Sequence, residues 1–205
     1  MLNNIPGIKV IESKISLYMP LLSTNQNNTI IYTVPEGLNE GEKNLVYDLG
    51  NYLDKSGLKS NYSFYLLRNG IKGKGIGIFV NNSWIYPDFI LWMIDKNNSV
   101  CRVIFLEPHG LSHTNFKEDP KLNLYSYLKS LDIDKLTTVQ NIKYKQLSLD
   151  SFVISVTPYN YLKSINEELE RKEYLSSEKH IVFTKIDKEQ HNYDYVKEIF
   201  DLITN

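Results

Sequence analysis

The sequence predicts an α/β fold in which helices sandwich a mixed sheet. Three features predict it. A capped amphipathic helix opens the readable part of the chain near Asn39. A run of apolar and aromatic segments between Ser63 and Glu107 is joined by links too short for crossover helices, so those strands pair antiparallel. Beyond Gly110 helical periodicity alternates with short strands, the order of an α/β sandwich.

Residues 1–35 read as an N-terminal arm or linker packing on the core, with an apolar run at Ile15–Leu22 and a strand at Ile30–Val34. Residues 36–205 read as one compact domain. Its first helix starts at Asn39, which can cap it. Glu42 falls three residues later, the spacing of a capping box. Leu45, Val46, Leu49, Tyr52 and Leu53 line one face, and Lys55-Ser56-Gly57 supplies a C-terminal stop. A four-strand antiparallel meander follows: Ser63–Leu67, Gly75–Val80, Trp84–Ile94 and Val100–Leu106. Asn81-Asn82 and Asp95–Ser99 are its turns. Asp119-Pro120 opens a helix that runs to about Leu131. Residues 135–147 are ambiguous. Ser151–Val156 is a strand, Tyr159–Tyr174 a helix, His180–Thr184 a strand and Tyr193–Ile203 an amphipathic helix.

Composition narrows the function. A chain of 205 residues buries roughly 70% of its unfolded surface, enough for a core without disulfides. The single cysteine, Cys101, excludes a disulfide framework and a multi-cysteine zinc site. A net charge of −1 gives no global attraction for nucleic acid or membrane, so a DNA role needs a local basic patch. No run approaches the ~18 apolar residues of a membrane span, and the first residues lack the order of a signal peptide. The expectation is a cytoplasmic protein. Alanine is absent and lysine far outnumbers arginine. A single lysine or asparagine is therefore a weak signal.

The chemistry sits in two segments, Ile85-Tyr86-Pro87-Asp88-Phe89-Ile90-Leu91-Trp92 and Val103-Ile104-Phe105-Leu106-Glu107-Pro108-His109-Gly110. Each sets an acid within or at the end of an apolar strand. A buried carboxylate is costly unless it is paired, hydrogen-bonded or bound to a metal. Two acids on adjacent strands can converge, and hard carboxylate oxygens suit Mg²⁺ or Mn²⁺. Arg68-Asn69-Gly70-Ile71-Lys72-Gly73-Lys74-Gly75 is basic and glycine-rich. It reads either as a phosphate-contacting loop, through Arg68, Lys72 and Lys74, or as a plain hairpin turn with solvated lysines.

Pro87-Asp88 followed by Glu107-Pro108-His109 resembles the paired motif of the PD-(D/E)XK nuclease superfamily, with histidine where that family has lysine. A longer series falls in order: Leu38–Glu42, Tyr65–Asn69, Gly73–Gly77, Tyr86–Trp92 and Phe105–Leu111. It looks like the nuclease-like C-terminal region of DEAD/DEAH-type helicases akin to type III restriction subunits. Asp119-Pro120-Lys121, Ser155–Pro158 and Lys179–Phe183 also resemble pieces of that region. The resemblance covers roughly residues 15–205, and no Walker loop or helicase motif accompanies it.

The resemblance implies a restriction-endonuclease-like αβββαβ core and metal-dependent phosphodiester hydrolysis of DNA. Asp88, Glu107 and the carbonyl of Pro108 would hold Mg²⁺ or Mn²⁺, which would acidify bound water and stabilise charge on the phosphorus centre. Glu42 would assist the metal or its water, or serve only in the capping box. His109 would orient or deprotonate the attacking water, and it tilts the metal preference toward Mn²⁺ or softer ions. The partners implied are DNA and a helicase or ATPase module in cis or trans, with a homodimer possible. Two rivals stand beside this. One is a catalytically inactive nuclease-fold module for DNA binding or assembly. The other is a metal hydrolase acting on a small substrate. A zinc site from Glu107, His109 and His113 is a further alternative.

Overall fold

The computed structural model describes the strands Ile8–Val10 (β1), Ser16–Leu17 (β2) and Leu22–Thr24 (β3), then residues 37–70, 74–131, 146–184 and 193–204. The other strands are Tyr62–Arg68 (β4), Ile78–Val80 (β5), Ser83–Ile85 (β6), Phe89–Asp95 (β7), Val100–His109 (β8), Gln146–Ser155 (β9) and Ile181–Phe183 (β10). The α-helices are Glu40–Lys55 (α1), Leu124–Ser130 (α2), Tyr159–Ile165 (α3), Lys172–Lys179 (α4) and Asp194–Thr204 (α5).

The fold is α/β with a mixed central sheet flanked by helices, as the sequence predicts. The sheet has six strands in the order β10-β9-β8-β7-β4-β2. β7 runs antiparallel to β4 and β8, while β9 and β10 add in parallel beyond β8. β2 adds in parallel to β4, so part of the N-terminal arm extends the sheet. Side chains alternate between the two faces. Phe64, Leu66, Phe89, Leu91, Ile104, Leu106, Phe152 and Ile154 pack against α1 and α5. On the other face, Ile90 and Phe105 meet α2 and the β5–β6 pair. Val153, Ile181 and Phe183 there meet α3 and α4.

Local chemistry explains the helices that frame the site. The capping box of α1 is complete: Asn39 Oδ1 accepts from the Glu42 N–H at 2.9 Å, and Glu42 Oε2 accepts from the Asn39 N–H at 2.8 Å. Gly57, at φ 74°, takes the left-handed conformation just past the helix end. A buried bond ties α1 to α5, with Tyr195 Oη donating to Asp48 Oδ2 at 2.8 Å. Burial, and then the Asp48 charge, push the Tyr195 phenol up. His180 ends α4 in the left-handed conformation at φ 53°. Its ring is held between Tyr125 and Phe152, with centroids at 3.5 and 4.2 Å.

Five expectations are corrected. The meander is not built from four consecutive strands. β4 pairs directly with β7, while β5 and β6 pair with each other as a separate hairpin. The segment Trp84–Ile94 is broken at Pro87-Asp88, because proline cannot donate to a ladder and ends β6. Asp119-Pro120 opens a turn, not a helix: Asp119 Oδ1 accepts from the Lys121 N–H at 2.8 Å, and α2 starts at Leu124. Tyr159–Tyr174 divides into α3 and α4. Asn166 Oδ1 accepts from the Glu168 N–H at 3.1 Å, an Asx turn that competes with the helix. β9 begins at Gln146, five residues earlier than expected. The Ile30–Val34 strand lies outside the described residues. No helix among the described residues is long and apolar enough to cross a membrane.

Phe200 joins the layers, stacking on Tyr52 at 5.4 Å and meeting Phe64 edge-on at 5.7 Å. Phe200→Ala is expected to cost about 3–5 kcal/mol. Tyr161→Ala, at an exposed position of α3, should stay within about 0.5 kcal/mol of wild type. Urea denaturation followed by circular dichroism measures both.

Candidate active site

The ladder between β7 and β8 builds the site. Its pairs run from Ile94 against Cys101 to Phe89 against Leu106. One step further the same register sets Asp88 opposite Glu107, on one face of the sheet. The link is direct, since the Asp88 N–H donates to Glu107 Oε2 at 3.2 Å. The chain around Asp88 is held from the other side as well, because its carbonyl accepts from the Asn69 N–H at 2.8 Å. β8 continues past the end of β7 along β9, as far as His109 against Ser155. The His109 carbonyl accepts from the Val156 N–H at 3.1 Å. Backbone alternation therefore turns the Pro108 nitrogen and carbonyl toward the side that β7 has vacated. The missing N–H costs no ladder bond there. The Pro108 ring faces α1, near Gly41.

Glu107 is buried, and Lys121 completes its setting. Lys121 Nζ donates to Glu107 Oε1 in a tight ion pair. Burial alone would lower the Lys121 pKa, but the carboxylates of Glu107, Asp88 and Asp119 outweigh it and hold the ammonium charged. The turn that follows Asp119 aims this lysine at the site. The sequence carries Lys121 only within Asp119-Pro120-Lys121, with no role attached. Behind Glu107 a cavity of about 10 Å³, lined by Ile85, Pro87, Phe105 and Leu124, has room for a single water at most.

Glu42 reaches the cluster from α1 and performs its capping role at the same time. Its Oε2 also lies 3.3 Å from the Arg68 guanidinium. Arg68, at the end of β4, is thus largely buried in an ion pair. His109 stands two residues beyond Glu107 on the same face, with Nδ1 4.0 Å from Glu107 Oε1 and about a third of its side chain exposed. Lys74 is exposed in a bend, and Lys72 lies outside the described residues. Gly70 and Gly75 answer to the chain itself: a Cβ on Gly75 would sit 2.1 Å from the Gly70 carbonyl oxygen. Asn69, to which the sequence assigns no role of its own, ties together the two ends of this loop. Its Nδ2 donates to the Ile76 carbonyl and its Oδ1 accepts from the Ile76 N–H, each at 2.8 Å.

Charge decides what the cluster can do. Three carboxylates, Glu42, Asp88 and Glu107, face two cations, Arg68 and Lys121. Arg68 pairs with Glu42 and Lys121 with Glu107, which leaves Asp88 over. Among the described residues no hydrogen bond or ion pair holds its carboxylate. Burial, then the charges of Glu107 and Glu42, push Asp88 up to about 7, against the opposing pull of Lys121 and Arg68. A half-buried carboxylate so placed favours an added positive charge. Among the described residues no group of three or more His, Cys, Asp or Glu side chains is arranged to hold a metal ion, the Glu107, His109 and His113 set included. Mg²⁺ asks for less, since it commonly takes one or two carboxylates and keeps several waters. Asp88, Glu107 and the Pro108 carbonyl could supply such a set. No protein-family model, curated protein or solved structure matches this chain.

The raised pKa has a measurable consequence. In the folded chain Asp88 titrates near 7, against an ordinary value of 3.8. Between those values the folded state binds more protons than the unfolded state. Its stability contribution is full below about pH 4 and is lost as pH rises toward 7. In metal-free protein, Asp88→Asn should therefore stabilise the fold at pH 8, by on the order of 1–2 kcal/mol after discounting for partial exposure. The gain should vanish near pH 4. Thermal unfolding at the two pH values, in chelator, measures the difference.

Proposed function

We propose that this chain is a divalent-metal-dependent DNA endonuclease domain with a restriction-endonuclease-like core. The observation that carries the reading is the Asp88 carboxylate, without a hydrogen-bond or ion-pair partner among the described residues, set opposite Glu107 at the open end of the central strands. The order of elements supports it. α1 is followed by the antiparallel set β4, β7 and β8, then by α2 and a parallel β9, the αβββαβ order that the resemblance implies. The β5–β6 hairpin is then an insertion within that core. A role in a restriction or defence helicase system rests on the resemblance alone.

In this reading Asp88, Glu107 and the Pro108 carbonyl hold one Mg²⁺ or Mn²⁺. The ion supplies Lewis acidity and an acidified water. The chain's own residues do the rest. Glu107 is fixed by the Asp88 N–H and by Lys121, so it needs little reorganisation when the charge at Asp88 is neutralised. Lys121 contributes the fixed positive charge and the donors that the family motif would place at His109, and it can stabilise charge developing on the phosphate. His109, partly exposed beside Glu107, is placed to accept a proton from water. Glu42 keeps Arg68 oriented at the edge of the cluster, and the exposed Lys74 is available to contact a phosphate backbone.

One observation favours the rival reading, in which the fold binds DNA without cutting it. Glu107 and Glu42 already carry protein cations, so the site is nearly neutral before any ion arrives. Purified full chain incubated with plasmid and with single-stranded circular DNA, in Mg²⁺ or Mn²⁺, separates the two. Wild type should cut, and Asp88→Asn should abolish cutting. Lys121→Met should reduce the rate by about 10²–10³-fold, the cost of removing one preorganised donor. His109→Ala should fall less. Cutting by Asp88→Asn at the wild-type rate would refute the site. DNA binding by wild type with no cutting in any divalent ion would establish the inactive module.

A further inference from the structure

The β5–β6 hairpin turns one face into the core and the other outward. Ile78, Val80 and Ile85 point inward. The outward face carries Phe79 directly opposite Trp84, and Gly77 in register with Tyr86. Phe79 is 49% exposed and Trp84 61%. The Phe79 and Trp84 rings lie 5.3 Å apart, and the Trp84 and Tyr86 rings 6.3 Å apart and within 29° of parallel. Phe79 is tilted 55° to Trp84, so the near-parallel pair is Trp84 and Tyr86, and Gly77 makes room for that pair: a Cβ there would meet Tyr86 Cε1 at 2.7 Å and Trp84 Cε3 at 3.0 Å. The row is aromatic, it carries no charge between Lys74 and Asp88, and it runs through Tyr86-Pro87 straight into the acid cluster.

We propose that this ring row is a stacking platform for unpaired nucleotides of a DNA strand whose phosphate lies at Asp88 and Glu107. The inference rests on the nuclease reading and narrows its substrate to DNA with a single-stranded segment at the site. Two features favour nucleotides over a protein partner. Flat ring faces, unlike branched aliphatic side chains, match the π-faces of bases whatever their sequence. The exposed Lys74, at the foot of the hairpin, adds positive charge beside a row that offers a phosphate backbone no repulsion. The Asn69 clamp ties this foot to the Asp88 strand, so a base held on Trp84 is held at a fixed offset from the acids.

The test measures binding of a fluorescein-labelled oligothymidine and of a duplex of equal length by anisotropy, in Ca²⁺. It compares wild type, Trp84→Ala, Trp84→Phe and Phe79→Ala, with circular dichroism confirming the fold. Trp84→Ala should weaken oligothymidine binding about tenfold. Trp84→Phe should recover most of that loss. The salt dependence should be unchanged, because no phosphate contact is removed. Duplex affinity should change less than twofold. Equal binding by Trp84→Ala and wild type would overturn the platform, as would equal losses for single strand and duplex. A wild-type dimer that Trp84→Ala dissolves in sedimentation would overturn it too, by showing a second copy on this face. Failure of the underlying reading looks different. Trp84-dependent oligothymidine binding by a chain that never cuts DNA retains the platform and removes the nuclease, whereas cutting that is indifferent to Trp84 does the reverse.

Discussion

The register between β7 and β8 is the constraint on which the candidate site depends. Asp88 faces Glu107 only because Phe89 pairs with Leu106, and a slip of one residue would turn one acid to the opposite face. The register is pinned at the far end of the hairpin. Asp95 Oδ1 accepts from the N–H groups of Asn97 and Asn98 at 2.7 and 2.9 Å, and Ser99 takes a left-handed conformation at φ 56°. Hydrogen bonds from Asn98 and Asn97 hold the Asp95 carboxyl below its ordinary range, so this turn stays charged and closed at any pH near neutrality. A polar turn remote from the candidate site thus sets the geometry of the acids.

Electrostatics at the other end runs against folding. The protein sets two buried or half-buried cations against Glu42 and Glu107 and, among the described residues, leaves Asp88 without one. A sheet selected for stability alone would place a neutral residue there. Keeping a carboxylate among two others is a local cost of the kind found where chemistry or binding occurs, and it is what the proposed site rests on. The surrounding core tolerates it: Phe89, Ile90, Leu91, Ile104 and Leu106 are almost wholly buried on the two faces of the same strands.

What could be read from the chain was local. The α1 capping box is legible because both partners lie within three residues. The acid pair is legible because a carboxylate in an apolar run is costly and therefore conspicuous. Lys121 was not legible in the same way. It lies fourteen residues beyond Glu107, and Asp-Pro serves equally as a helix start or as a turn. Only the Asp119 side chain bonded to the Lys121 N–H decides between them. The direct pairing of β4 with β7 was hidden for a related reason. Adjacent strands usually pair in sequence order, and nothing within Gly75–Ile85 announces that its partner is itself. The one clue was Pro87 inside an apolar run, where a proline disqualifies a continuous central strand.

Because β4 and β7 close on each other without the hairpin between them, the ladder from Tyr62–Asp95 to Arg68–Phe89 is indifferent to what is spliced in after Asn69. The β5–β6 hairpin is therefore an addition to that ladder, even though Val80 and Ile85 pack into the core beside Ile90. It could be lengthened, shortened or exchanged during evolution while the acids kept their places. In the nuclease reading proposed above, the ring row and the acid pair would then diversify independently, each under its own selection.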